Sequence, residues 1–194
     1  MKDVFKKSVY NTGYLGLGEY SSKDKAYVSW KNMLFRCYSK NRLDKFPSYI
    51  NCIMCNEWHN FQNFAKWFND NYIEYYHIDK DLLFKKNNIY SPETCIFLPQ
   101  EINKLLTKTD SKRGNCPIGV FYNKKTSNFK AQICIGFKSR IGLGTFKTKE
   151  DAFVCYKNVK ENYIKKTAID YYSTGKISLK AYNALYNYIV EITD

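Results

Sequence analysis

The chain reads as an α+β protein built from two modules. Two observations predict this. Up to about residue 110, aromatic residues recur at helical spacing and give way to short extended pieces punctuated by turns. Beyond that point, three short β-patterned segments precede a long helical stretch. A length of 194 residues suits one domain, or two of roughly 100 residues each. The polar stretch Asp110–Pro117 reads as a linker, so the expected division is 1–110 and 111–194.

Residues 1–25 are polar, contain Gly13, Gly16 and Gly18, and are expected to be extended. Ala26–Tyr38 is predicted helical, because Tyr27, Trp30, Met33, Leu34 and Cys37 recur at helical intervals. Residues 39–50, with Pro47, read as a loop. Trp58, Phe61, Phe64, Ala65, Trp67 and Phe68 predict an aromatic helix running to about Tyr72, its stripe turned into a core. Tyr75–Leu82 reads as a short strand or extended turn. Asn87-Asn88 and Ser91-Pro92-Glu93 read as turns, and Pro99–Leu106 as a short helix.

In the second module the strand signals are Gly119-Val120-Phe121-Tyr122, Phe129-Lys130-Ala131-Gln132-Ile133 and Leu143-Gly144-Thr145-Phe146. Phe129, Ala131 and Ile133 alternate with Lys130 and Gln132, so one face is expected buried and the other exposed. Gly142 and Gly144 flank Leu143 and permit a bend or a bulge. Thr148, followed by Glu150 and Asp151, is an N-cap signal for a helix through Ala152, Tyr156, Val159 and Tyr163. Phe146 and Tyr156 can fill the seam between sheet and helix. A last helix is expected from Leu179 to about Val190. Residues 166–194 either pack on the sheet or mediate pairing.

Charge points to a polyanionic partner. The chain has 31 Lys or Arg against 18 Asp or Glu, a formal net charge of +13. Between Ser111 and Lys149 there are nine Lys or Arg and no Asp or Glu. A basic, aromatic-lined sheet offers cations to phosphates and strands that fit a groove. No segment approaches the roughly 18 apolar residues that span a bilayer, so no membrane partner is expected. The N-terminus lacks the apolar run of a signal peptide. Both readings predict a cytoplasmic protein whose seven cysteines are thiols or metal ligands rather than disulfides. Cys52-Ile53-Met54-Cys55 has zinc-knuckle spacing, and Cys37 and Cys95 could complete a structural zinc site. The alternative is buried free thiols. Cys134 and Cys155 are expected in strand and helix core positions, and Cys116 in the linker.

On these strand and helix residues, 118–165 resembles the ethylene-response-factor type of DNA-binding domain, three antiparallel strands on one helix, also found in phage-encoded nucleases. The resemblance implies that the exposed strand face enters the major groove of double-stranded DNA, with Tyr122, Lys124, Lys125, Lys130, Gln132, Lys138, Arg140 and Lys147 as contacts. The family's reading strands are rich in Arg and Trp, whereas lysine here suits phosphates better than bases.

In the first module, His77-Ile78-Asp79-Lys80-Asp81, Asn87-Asn88, Ser91-Pro92-Glu93-Thr94-Cys95 and Asn103 together resemble the core of HNH nucleases, the ββα-metal class. More narrowly, Tyr27–Trp30, Met33-Leu34, Arg36-Cys37-Tyr38, Pro47-Ser48-Tyr49, Glu57-Trp58 and Asn88–Cys95 resemble phage homing endonucleases. The implied architecture is a small ββα module with flanking helices. The implied activity is hydrolysis of DNA phosphodiesters with Mg or Mn in the cytoplasm of a bacteriophage's host. His77 would be the general base, Asn88 its orienting residue and Asn103 a metal ligand, with Asp79 as a further candidate ligand. Active HNH cores carry an acidic ligand just before the base, and Tyr76 stands there. That departure leaves a second reading, a catalytically inactive scaffold that binds DNA or a host protein.

Overall fold

Helix α1 (Lys25–Tyr38) forms where the apolar spacing predicts it, and it buries Ala26, Trp30, Met33, Leu34 and Cys37. The computed structural model describes residues 3–46, 49–107, 115–136 and 139–194. The chain divides into two units, Met1–Leu98 and Pro99–Asp194. The expected boundary at 110 falls outside the described residues, as do Pro47, Ser48 and Lys138.

Part of the expected loop after α1 is a short helix, α2 (Lys40–Lys45), which buries none of its side chains. A helix without an apolar stripe leaves no periodic signal. The aromatic helix expected over 58–72 is two helices, α3 (Asn56–His59) and α4 (Phe61–Asn71). Asn60 separates them. Its backbone is extended, and its side chain accepts from the Gln62 N–H at 3.0 Å as the N-cap of α4, a role that suits asparagine.

The core of this unit is aromatic. Trp30, Leu34, Trp58, Phe61 and Phe64 have no exposed surface. Trp30 lies 5.3 Å from Phe61, and Trp58 lies 5.1 Å from Phe64 and 4.7 Å from Trp67. The Trp30 Nε1–H donates to the Trp58 carbonyl at 2.6 Å, which satisfies a polar group that burial would otherwise penalise. The N-terminal segment is stitched on by paired bonds between Tyr14 and residues 59 and 61. The Gln62 amide adds bonds to the backbone of Leu15 and Tyr20.

Four short strands complete the first half. β1 (Ile53–Met54) pairs in parallel with β3 (Ile89–Tyr90), and β2 (Tyr76–Asp79) pairs with β4 (Ile96–Pro99). β4 has no counterpart in the sequence reading. Its residues, Ile-Phe-Leu-Pro, are continuously apolar and carry no alternation to mark them as a strand. Helix α5 (Gln100–Leu106) follows it directly.

The second unit contains the expected antiparallel sheet in the order β5 (Val120–Asn123), β6 (Asn128–Ile135) and β7 (Ser139–Phe146). The sheet packs on α6 (Lys149–Ser173). Val120, Ala131 and Ile133 are buried on the sheet, and Ala152, Phe153 and Tyr156 on the helix. The register shifts between Ala131 and Gln132, which face Gly144 and Gly142, so Leu143 is the extra residue of the expected bulge. Thr148 caps α6 by accepting from the Asp151 N–H at 3.1 Å. The helix runs ten residues past Tyr163, and its distal half packs on α7 (Leu179–Tyr186) through Ile164, Ala168, Ala181 and Leu185. α7 stops short of the expected Val190. There the backbone is held instead by the Glu161 carboxylate, which accepts from the Val190 N–H at 2.8 Å, and by Lys157 Nζ, which donates to the Val190 carbonyl at 2.7 Å. No helix among the described residues is long and apolar enough to cross a membrane.

One lysine in this unit makes stability depend on pH. Lys160 Nζ donates to the Leu105 carbonyl at 2.8 Å, and burial pulls its pKa from 10.5 down to about 8. Between these values the folded side chain has released its proton while the unfolded one keeps it, so unfolding takes up a proton and stability rises with pH. Urea denaturation followed from pH 8 to 10.5 should show this gain in the native protein relative to Lys160→Met, with the difference growing across that window.

Candidate nucleic-acid interface

The register of the sheet decides which side chains share its outward face. Across β6, Lys130 opposes Phe121 and Thr145, Gln132 opposes Gly142, and Cys134 opposes Arg140. Directly opposed residues of an antiparallel pair project to the same side. Lys130, Gln132 and Arg140 therefore share one face with Phe121, away from the buried Val120, Ala131 and Ile133. Arg140 and Phe121 are exposed, and Lys130 and Gln132 are half-buried.

The other implied contacts are placed differently. Tyr122 opposes Phe129, with ring centroids 5.1 Å apart, so it belongs to the helix-side face and is exposed at its end. Lys124 and Lys125 are exposed in the β5–β6 turn, and Lys147 is exposed just past β7. Cys134, expected in the core, is exposed on the outward face opposite Arg140. The strand alternation that buries Ile133 turns Cys134 outward, and this parity was readable in the sequence. Cys155 is half-buried, its thiol 3.9 Å from the Leu143 carbonyl.

Charge is concentrated in this unit. Residues 99–194 carry 17 Lys or Arg against 8 Asp or Glu. Every one of those carboxylates lies outside 111–149, so the strands and their turns present cations alone. Such a surface raises the local concentration of a polyanion and releases its counterions on contact.

In the first unit, His77 is exposed on β2, with Tyr76, Ile78 and Asp79 half-buried around it. The other histidine, His59, lies against the Tyr38 hydroxyl, 3.4 Å from Nε2. Asp79 Oδ1 accepts from the Asp81 and Leu82 N–H groups at 2.9 and 2.7 Å. Burial pushes the Asp79 carboxyl above its ordinary range, although these two N–H groups pull the other way. Asn88 is exposed, and its carbonyl accepts from the Ile53 N–H at 2.8 Å. Asn103 is half-buried on α5 in the second unit, where its carbonyl accepts from Thr107 Oγ1 at 2.9 Å.

The asparagine that organises the loop after β2 is Asn87. Its side-chain amide donates to the carbonyls of Lys80 and Ile89 at 2.8 and 2.7 Å and accepts from the Ile89 N–H at 3.1 Å. Lys80 is buried, and its Nζ donates to Asp81 Oδ1 at 2.6 Å and to the Asn87 carbonyl at 2.7 Å. Neither residue carries a role in the sequence reading, because an Asn-Asn pair does not say which side chain turns inward.

Three of the four candidate zinc ligands, Cys37, Cys52 and Cys95, are buried in the first core and lie close enough for Cys37 to feel the other two electrostatically. Burial pushes Cys37 and Cys95 up to about 12 and raises Cys52 and the half-buried Cys55. Burial of this kind favours neutral thiols. Among the described residues no group of three or more His, Cys, Asp or Glu side chains is placed to hold a metal ion. The donors offered for a divalent ion are sparse as well: Tyr76 supplies no carboxylate, and one oxygen of Asp79 is engaged by backbone. No protein-family model matches the chain, and no curated protein or solved structure matches it significantly.

Proposed function

We propose that this chain binds double-stranded DNA through the outward face of the β5–β6–β7 sheet. The observation that carries the reading is the register, which gathers Lys130, Gln132 and Arg140 on one face of a strand set free of carboxylates. Lys124, Lys125 and Lys147 extend the cationic surface at the strand ends. Lysine-dominated contacts reach phosphates, so affinity should be strongly salt-dependent and only modestly sequence-dependent. Fluorescence anisotropy on a mixed-sequence duplex, titrated with salt, tests this. The Lys130→Ala, Arg140→Ala double variant should lose affinity by about 10- to 100-fold and shed about two units of salt slope. Unchanged affinity and slope would place DNA elsewhere or nowhere.

The first unit adds a cleavage reading: His77, exposed on a strand paired with β4 and followed in the chain by α5, takes a proton from the attacking water. A divalent ion, when bound, would supply charge stabilisation at the scissile phosphate. The second reading, a binding scaffold without cleavage, is favoured by one observation, the engagement of Asp79 Oδ1 by two backbone N–H groups beside a residue that is Tyr76 rather than an acid. Incubating supercoiled plasmid with the protein in Mg²⁺, Mn²⁺ or EDTA separates the two.

A further inference from the structure

The outward positions of β6 are Lys130, Gln132 and Cys134, and their neighbours across the sheet differ. Lys130 stands between Phe121 and Thr145, and Cys134 faces Arg140. Gln132 stands between glycines. It opposes Gly142 on β7, and its N–H donates to the Gly119 carbonyl at 2.9 Å, just before the first residue of β5. A Cβ at Gly142 would meet no atom within 4 Å, and one at Gly119 would run into the Tyr156 ring on the helix side. Gln132 is thus an outward residue of the central strand with no side chain directly across from it on either neighbouring strand.

Gln132 is half-buried, and its side-chain amide makes no hydrogen bond among the described residues. It therefore offers an acceptor oxygen and two N–H donors to a partner. Reach matters as well. A lysine stem extends past its neighbours to a phosphate. A glutamine is shorter and meets a base edge only where its neighbours do not hold the duplex away, and glycines on both sides remove that obstacle. The outer strands of a three-stranded sheet lie about 10 Å apart, close to the roughly 12 Å width of the major groove. A docked sheet then turns its central strand to the base edges and its outer strands to the phosphate walls.

We infer that Gln132 is the residue through which this face reads sequence, and that the base it selects is adenine. In the major groove adenine presents the N7 acceptor beside the N6 donor, which matches the donor and acceptor of one amide. Guanine presents two acceptors, cytosine a donor alone, and thymine an acceptor beside a methyl group. Adenine alone satisfies both ends of the glutamine. The inference rests on the DNA-binding reading above and deepens it. The cations hold the backbone and carry the affinity, and Gln132 is the source of the modest sequence dependence.

The test uses the full chain. Duplexes with a randomised core are selected on the native protein, and anisotropy then compares the selected duplex with single base-pair changes of it. The native protein should select adenine at one position and lose affinity about tenfold when that A·T pair becomes G·C. Gln132→Ala should bind the two duplexes equally, with the salt slope unchanged because no charge is removed. Gly142→Val should lose the same discrimination by closing the approach to Gln132. The strand accepts this substitution, because a β-branched residue suits it and a Cβ there meets no atom within 4 Å. Circular dichroism checks that both variants fold. The inference falls if the native protein selects no base or one other than adenine, or if either variant discriminates as the native protein does. The sheet reading still stands in those cases if the Lys130→Ala, Arg140→Ala variant loses affinity and salt slope. If the native protein binds no duplex, both fall.

Discussion

In Mg²⁺ or Mn²⁺, plasmid nicking by His77→Ala protein is expected to fall by about 100-fold or more relative to the native chain, with affinity for duplex DNA unchanged. The expectation follows from where the imidazole sits. His77 is exposed on β2, while the residues on either side are half-buried and fix the strand. Truncating an exposed side chain costs little packing, so a large loss of rate would not be a loss of fold. The cations of the sheet lie in the other unit, so the substitution leaves the proposed DNA-binding face untouched. Supercoiled-plasmid assays of both proteins, with an EDTA arm, read the effect directly. If the two nick equally, the base is another group. If the native protein binds DNA but nicks in none of the metals, the scaffold reading takes over, and Tyr76 with the backbone-bound Asp79 gives its physical reason.

How much of this was legible in the sequence depended on periodicity. The apolar spacing of α1 and the alternation of Phe129, Ala131 and Ile133 each encode a buried face, and both elements form where those patterns lie. Capping chemistry was equally readable at Thr148, whose hydroxyl accepts from Asp151. Elements without a pattern were invisible: α2 buries nothing, and β4 is apolar throughout. The break at Asn60 was hidden by the continuous aromatic stripe, although asparagine is a capping residue. At the candidate interface, the identity of the basic residues was plain, but their sharing of a face required the pairing register, which the local sequence does not specify. That register separates Tyr122 from Lys130 and adds Phe121. In the first unit, sequence drew attention to His77 and Asn88, whereas the side chains that tie the loop together are Lys80 and Asn87. Those bonds join residues seven apart around a loop and follow no repeat.

Gly119→Ala is expected to destabilise the second unit by roughly 2–5 kcal/mol, the combined scale of left-handed backbone strain and overpacking. Gly119 has φ +76°, a region that a Cβ disfavours. A Cβ there would also run into the ring of Tyr156, which is 5% exposed on α6 and has no room to retreat. The peptide cannot swing away either, because the Gly119 carbonyl accepts from the Gln132 N–H at 2.9 Å and the next N–H, that of Val120, donates to Pro117 at 3.1 Å. Gly175 is the matched control. Its φ is +68°, yet a Cβ at that position would meet no atom within 4 Å. Gly175→Ala should therefore cost only the backbone strain, about 1–2 kcal/mol. Urea melts of the two variants beside the native protein measure the difference. A Gly119→Ala loss no larger than that of Gly175→Ala would mean that the sheet and helix do not meet as tightly at Tyr156 as the structure places them. A larger loss, with weaker DNA binding once the unit begins to unfold, would tie the cationic face to the packing that holds its strands in register.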